Sequence, residues 1–253
     1  MGLSFVLALV VGFVAESIDG ALGMAYGLLS TTVMLAFGYA PAVASASVHL
    51  AEIVTSAASG LSHWRFGNVR RETVRGLLVS GVAGGVLGAY AVVRLPTLYL
   101  RPVVAAYILV MGVNITMRAL RNTRTRRARA NLPLLGLAGG FCDALGGGGW
   151  GQVVTSTLIA RGYPPRYTVG SVTLTEFFVA LSESVTFLAT IGVQSWAVVG
   201  GLMLGGAVAA PLAAWTTSRL PHRPFAAAIG LVVVLTSARI LAVSLPELWR
   251  LVI

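Results

Sequence analysis

Six of the eight acidic residues in this 253-residue chain lie inside apolar stretches: Glu16, Asp19, Glu52, Asp143, Glu176 and Glu183. A charge at the centre of a bilayer costs about 2.5–3.5 kcal/mol on insertion scales, so a carboxyl held there is functional or paired. Asp19 and Asp143 each end the first arm of a Gly-rich interruption, where helix C-terminal carbonyls disfavour negative charge. That environment suits a proton carrier, and equally a structural carboxyl accepting from amides that the break sets loose. Glu52 follows His49 by three residues and shares its helix face. Glu176 follows Thr173 in the same spacing, and Glu183 lies two turns further along that face. His49 is chemically equipped to relay a proton or accept a substrate hydrogen bond, or simply to tie two helices together. Proton coupling is therefore expected at Asp19, Asp143, Glu52 and Glu176.

The elements carrying these groups are duplicated. Aligning residues 12–32 with 136–156 puts Asp19 on Asp143, Gly23 on Gly147, Tyr26 on Trp150 and Gly27 on Gly151, a constant offset of 124. The register continues through Gly38-Tyr39 and Gly162-Tyr163, Pro41 and Pro165, and Glu52 and Glu176. One residue further on, Arg94-Leu95-Pro96 matches Arg219-Leu220-Pro221. Each half reads as one broken segment, interrupted over 19–27 and 143–151, followed by three continuous helices. Glycine and a carboxylate breaking apolar segments at matched places in two halves point to a transporter's binding site. A helix start after each break directs N–H groups toward an anion, and glycine lets a ligand approach the backbone. The substrate-binding candidates are Gly23, Met24, Ala25, Tyr26 and Gly27 in the first tip and Gly147, Gly148, Gly149, Trp150 and Gly151 in the second, with His49 and Thr173. The alternative is that these glycines serve only turns and close packing.

Composition places the chain in a bilayer. Hydrophobic residues make up 57% and charged residues 10%, with mean hydropathy +0.86, against about 25% charged in soluble domains. The length accommodates about eight membrane segments. All 18 basic residues are arginines, and they lie mostly in short loops, so the net charge of +10 reads as topology rather than nucleic-acid binding. Two arrangements compete. If the broken segments enter and return to the same side, the halves are inverted and 14 arginines collect inside against three outside. If they cross fully, the halves are parallel and the division is 11 to six. The positive-inside rule favours the first. The expected fold is an all-α polytopic membrane protein of two inverted repeats, each a re-entrant Gly-rich hairpin plus three transmembrane helices. The repeats span 1–121 and 132–253, joined by a basic cytoplasmic linker at 122–131.

Other chemistries lack their residues. One cysteine, Cys142, excludes an intrachain disulfide. No HExxH or paired CxxC offers a metal centre, and GGGGWGQ lacks the Lys-Ser/Thr ending of a P-loop, so no cofactor or metal is expected. Ser47 and His49, two apart, diverge around a helix and form no catalytic dyad, so an enzyme is not expected. Arg239 falls inside the last apolar run and is expected to snorkel to an interface. Glycines such as Gly81, Gly84, Gly85, Gly88, Gly201, Gly205 and Gly206 permit close packing within one copy or between copies. A homo-oligomer is left open.

The chain resembles the TauE/SafE sulfite-exporter family of membrane permeases. The resemblance rests on the duplicated four-segment halves and on Gly139-Gly140-Phe141 through Gly147-Gly148-Gly149-Trp150-Gly151. Gly162-Tyr163-Pro164 and the Ser171–Glu176 helix extend it, echoed by Gly38-Tyr39-Ala40-Pro41 and Ser45–Glu52. It implies a multi-pass secondary transporter of the bacterial inner membrane that moves small sulfur-containing or organic anions such as sulfite or sulfonates. Alternating access, with protons reinforcing anion binding, is the expected mechanism. The first tip is poorer in glycine than the family pattern. The rival expectation is a cation or metal permease in which the buried carboxylates are ligands.

Overall fold

The computed structural model describes residues 2–22, 26–120, 129–216 and 222–252. Gly23, Met24 and Ala25 of the first tip, residues 121–128 of the basic run, and Arg219-Leu220-Pro221 lie outside the described residues. The chain is all-helical, as expected: among the described residues there is no strand. The first half comprises α1 (Gly2–Leu22), α2 (Tyr26–Ala36), α3 (Pro41–Arg65), α4 (Arg71–Arg94) and α5 (Thr97–Leu120). The second comprises α6 (Leu132–Gly146), a π-helical turn (Gly151–Thr155) running into α7 (Ser156–Ala160), then α8 (Pro165–Thr190), α9 (Trp196–Thr216) and α10 (His222–Val252).

Local sequence sets these boundaries. Pro41 and Pro165 open α3 and α8 at the first helical position, where a missing N–H costs nothing. Asn131 caps α6 by accepting from the Leu134 amide at 3.2 Å. Gly147, in the left-handed region at φ 65°, ends α6. Both interruptions are shorter than the sequence suggested: α1 continues through Asp19 to Leu22 and helix resumes at Tyr26, while only Gly147–Gly149 separate α6 from the next helical residue, Trp150. The carboxylates explain this, because each aspartate stays helical while its side chain holds the far arm.

Both broken segments double back. Ser4, Leu7 and Val11 of α1 share a narrow space with Val33, Met34 and Phe37 at the other end of α2, which requires antiparallel arms. In the second copy, Arg161 after α7 donates to the Arg129 carbonyl before α6 at 2.8 Å. Across the molecule α1 packs on α9, α4 on α6, α3 on α8 and α5 on α10. Exchanging the halves by the 124-residue offset turns the first of these pairs into the second and returns the other two to themselves.

Glycines make the closest crossings possible. A Cβ on Gly205 of α9 would strike the Leu9 carbonyl of α1, and one on Gly84 of α4 the Leu137 carbonyl of α6. Val at either position should cost about 1–3 kcal/mol by overpacking, read as an equal fall in thermal stability of the detergent-purified protein for the two variants.

The outer surface is apolar: Val10, Val79, Leu87, Val110, Leu204 and Leu235 are all exposed. Among the described residues three helices are long and apolar enough to cross a membrane, spanning 71–94, 97–117 and 166–190. Helix α3 is more polar, but Ser45, His49, Glu52 and Ser56 are all buried, away from any lipid. Arg239 is exposed on the outside of α10, away from the buried acids.

Candidate substrate site

The two hairpin tips touch. A Cβ on Gly27 would lie 2.6 Å from the Gly148 Cα and 2.6 Å from Glu52 Oε1, so backbone meets backbone without side chains between. Thr31 of α2 donates its hydroxyl to the Gly147 carbonyl of the other tip. Each tip is also closed on itself in the same way. Asp19 Oδ1 accepts from the Tyr26 amide at 3.1 Å; Asp143 Oδ1 accepts from Gly149 at 2.6 Å and Trp150 at 2.8 Å. Tyr26 and Trp150 are repeat mates, so the duplication preserves the aspartate and its backbone bond although the donor residue differs. Three amides expected to face a solute are thus held by the protein's own carboxylates.

Beside this junction lies a cavity of ≈ 30 Å³, room for about two water-sized bodies at roughly 10–15 Å³ each. Glu16 and Asp19 reach it from α1, and Tyr26, Gly27 and Leu28 from the start of α2. Glu52, Thr55, Ser56 and Ser59 line it from α3, and Thr173 and Glu176 from α8. Gly148, Gly149, Gly151 and Gln152 close it from the second hairpin. The expected residues Asp19, Tyr26, Gly27, Glu52, Gly148, Gly149, Gly151, Thr173 and Glu176 therefore meet in one place. Glu16 and Gln152 join them without having been singled out as site residues. The repeat gave no signal for Gln152, since its mate at the 124 offset is the apolar Leu28, also in the wall.

Four expected residues sit outside this wall, Asp143 among them, its Oδ1 in the second turn and its Oδ2 toward His49. The Trp150 ring is fully buried, packs against the positions of Gly81 and Gly139, and donates its indole N–H to the Val172 carbonyl at 3.1 Å. Gly147 packs under Thr31 and Ser45. His49 lies one layer deeper, fully buried, with Nε2 2.7 Å from Glu183 Oε2, 3.6 Å from Asp143 Oδ2 and 3.9 Å from Glu52 Oε2. Its Nδ1 is 2.7 Å from the Ser45 carbonyl, while the Ser45 hydroxyl donates to the Ala144 carbonyl at 2.6 Å. Glu52 thus has one oxygen toward the tip junction and the other toward this deeper cluster.

An apolar-surfaced helical protein whose two glycine-broken hairpins meet beside a carboxyl-lined cavity has the build of a membrane transporter. The comparisons agree: residues 8–240 match the family described as "Sulfite exporter TauE/SafE", and the chain belongs to that family. It is 43% identical over 241 residues to the probable membrane transporter protein YtnM of Bacillus subtilis (strain 168), covering 91% of this chain and 80% of that protein. No solved structure matches.

Proposed function

We propose that this chain is a secondary transporter of small oxyanions of the sulfite class, working by alternating access in a bacterial inner membrane. The observation that carries the proposal is the meeting of the two hairpin tips, which gives one cavity walls from both halves. On this reading the halves, 1–121 and 132–253, are inverted repeats joined by a cytoplasmic linker at 122–131. Supporting the inverted arrangement, Arg166 before the body of α8 donates to Asn68 Oδ1 at 2.5 Å, so the loops after α3 and α7 share one end of the molecule. Parallel halves would put those loops on opposite sides.

The cavity presents hydroxyls from Thr55, Ser59 and Thr173 and the Gln152 amide, together with Glu16, Asp19, Glu52 and Glu176. Carboxylates repel an anion; protonated, they donate a hydrogen bond to it. Anion and proton binding then reinforce one another, with Asp19 and Glu176 as the carriers. A hydrogen bond to a charged group contributes about 1.5–3 kcal/mol. Glu176→Gln should therefore lower sulfite accumulation driven by an imposed pH gradient in proteoliposomes at least about tenfold and flatten its dependence on pH. Undiminished, still pH-driven uptake in that variant would count against proton carriage by Glu176.

One observation favours a second reading, a cation permease: the cavity wall holds four carboxyls and no basic side chain among the described residues. Counterflow separates the two. Saturable cation exchange without any dependence on sulfite supports the second reading.

A further inference from the structure

The pocket has a counterpart across the repeat. At the 124-residue offset Asp19 becomes Asp143, Ser59 becomes Glu183, and Thr173 is the mate of His49. The first members of each pair, with Thr173, line the cavity; the others form the buried His49 cluster. Where the cavity has two hydroxyls, the equivalent place has an imidazole and a carboxylate. We propose that His49, Asp143 and Glu183 form a second site, which binds a divalent transition-metal ion.

Orientation supports metal ligation. A carbonyl can only accept, so the contact between His49 Nδ1 and the Ser45 carbonyl makes Nδ1 the donor and turns Nε2 toward the two carboxylates, where a neutral ring would offer its lone pair. Asp143 is fixed likewise, its Oδ1 held by two backbone amides while Oδ2 faces Nε2. Outer hydrogen bonds of this kind are what orient metal ligands. The donor atoms of the three residues lie within 4.8 Å of one another. The contacts from Nε2, 2.7 Å to Glu183 and 3.6 Å to Asp143, bracket the separation of about 3.3 Å between ligands around a tetrahedral ion at 2.0–2.1 Å.

A proton-sharing network fits less well. His49 Nε2, Asp143 Oδ2, both Glu183 oxygens and Glu52 Oε2 are buried, and none has an aligned hydrogen-bond partner despite the short distances. Buried carboxylate oxygens converging on one point call for a cation among them, and a metal ion would hold all of them where one Nε2 proton can serve a single oxygen. One imidazole with carboxylates suits Zn²⁺ or Mn²⁺. Bound there, the ion would clamp the second hairpin to α3 and α8.

The test uses the full chain purified in detergent, stripped with a chelator and dialysed against Zn²⁺ or Mn²⁺, with bound ions counted by elemental analysis. It reads binding, not flux, so it stands or falls apart from the substrate assignment. One ion per chain is expected, with a rise in unfolding temperature. Glu183→Gln and His49→Gln should each weaken binding at least about tenfold, whereas Glu176→Gln, in the pocket, should leave it unchanged. Glu183→Asp, which keeps the charge but withdraws the oxygen, is the second test of that ligand should the glutamine variant fail to fold, and it should weaken binding too. No ion on the wild-type chain at either metal, undiminished binding in a folded Glu183 variant, or loss in Glu176→Gln would each overturn the site.

Discussion

Gly148→Ala abolishes transport: uptake into proteoliposomes is expected to fall at least about a hundredfold, the scale of a 1 Å misplacement in a pre-organised site. Two effects act together. Gly148 has φ 131°, a conformation costing an L-residue about 1–3 kcal/mol. Its added methyl would also collide with the Gly27 backbone and come within 2.5 Å of the Leu28 amide nitrogen. Nothing there is the flexible end of a side chain, so the tips must separate, and overpacking adds about 1–3 kcal/mol. Gly38→Ala is the comparison. That glycine also has positive φ, at 89°, but a Cβ there meets nothing within 4 Å. It should cost about 1–2 kcal/mol of stability and leave uptake intact. Equal transport in the two variants would mean that the tip contact does not matter.

Asp143→Ala ranks second in expected effect. It strands the Gly149 and Trp150 amides in the interior, each worth about 1–3 kcal/mol when left without an acceptor, so the folded state in detergent should lose about 2–6 kcal/mol. Asp143→Asn retains a carbonyl oxygen for the same two amides and should recover most of that loss. Comparing the two variants in chelator isolates the turn-closing role from any bound ion. If asparagine is as damaging as alanine, the negative charge rather than the acceptor geometry holds the turn.

The duplication, the matched breaks and the helical class were legible in the sequence, because glycine, aspartate and proline recur at one offset and act locally. The function of each buried acid was not. Asp19 and Asp143 were read as proton carriers or as acceptors for loosened amides, and the structure displays the acceptor bonds; that depended on how tightly each turn closes, which spacing does not encode. Glu183 was visible as a carboxyl on the Glu176 face, yet its pairing with His49 crosses from α8 to α3 and needed the helix packing. Thr173 and His49 occupy equivalent positions but face different spaces, the first in the cavity wall and the second in the deeper cluster. Gln152 escaped because its mate is a leucine, and a search for matched polar pairs passes over it.

If the halves rock as proposed, the lacing between them at the loop end sets a preferred hinge. Arg166 grips Asn68 there and also donates to the Phe66 carbonyl at 3.3 Å, and the Ser171 hydroxyl accepts from the Arg70 amide at 2.8 Å. At about 0.5–1.5 kcal/mol apiece, three such bonds bias the resting protein by some tenfold to a thousandfold against gaping at that face. A lever pinned at one end swings most easily at the other, so the gate facing away from these loops should be first to part.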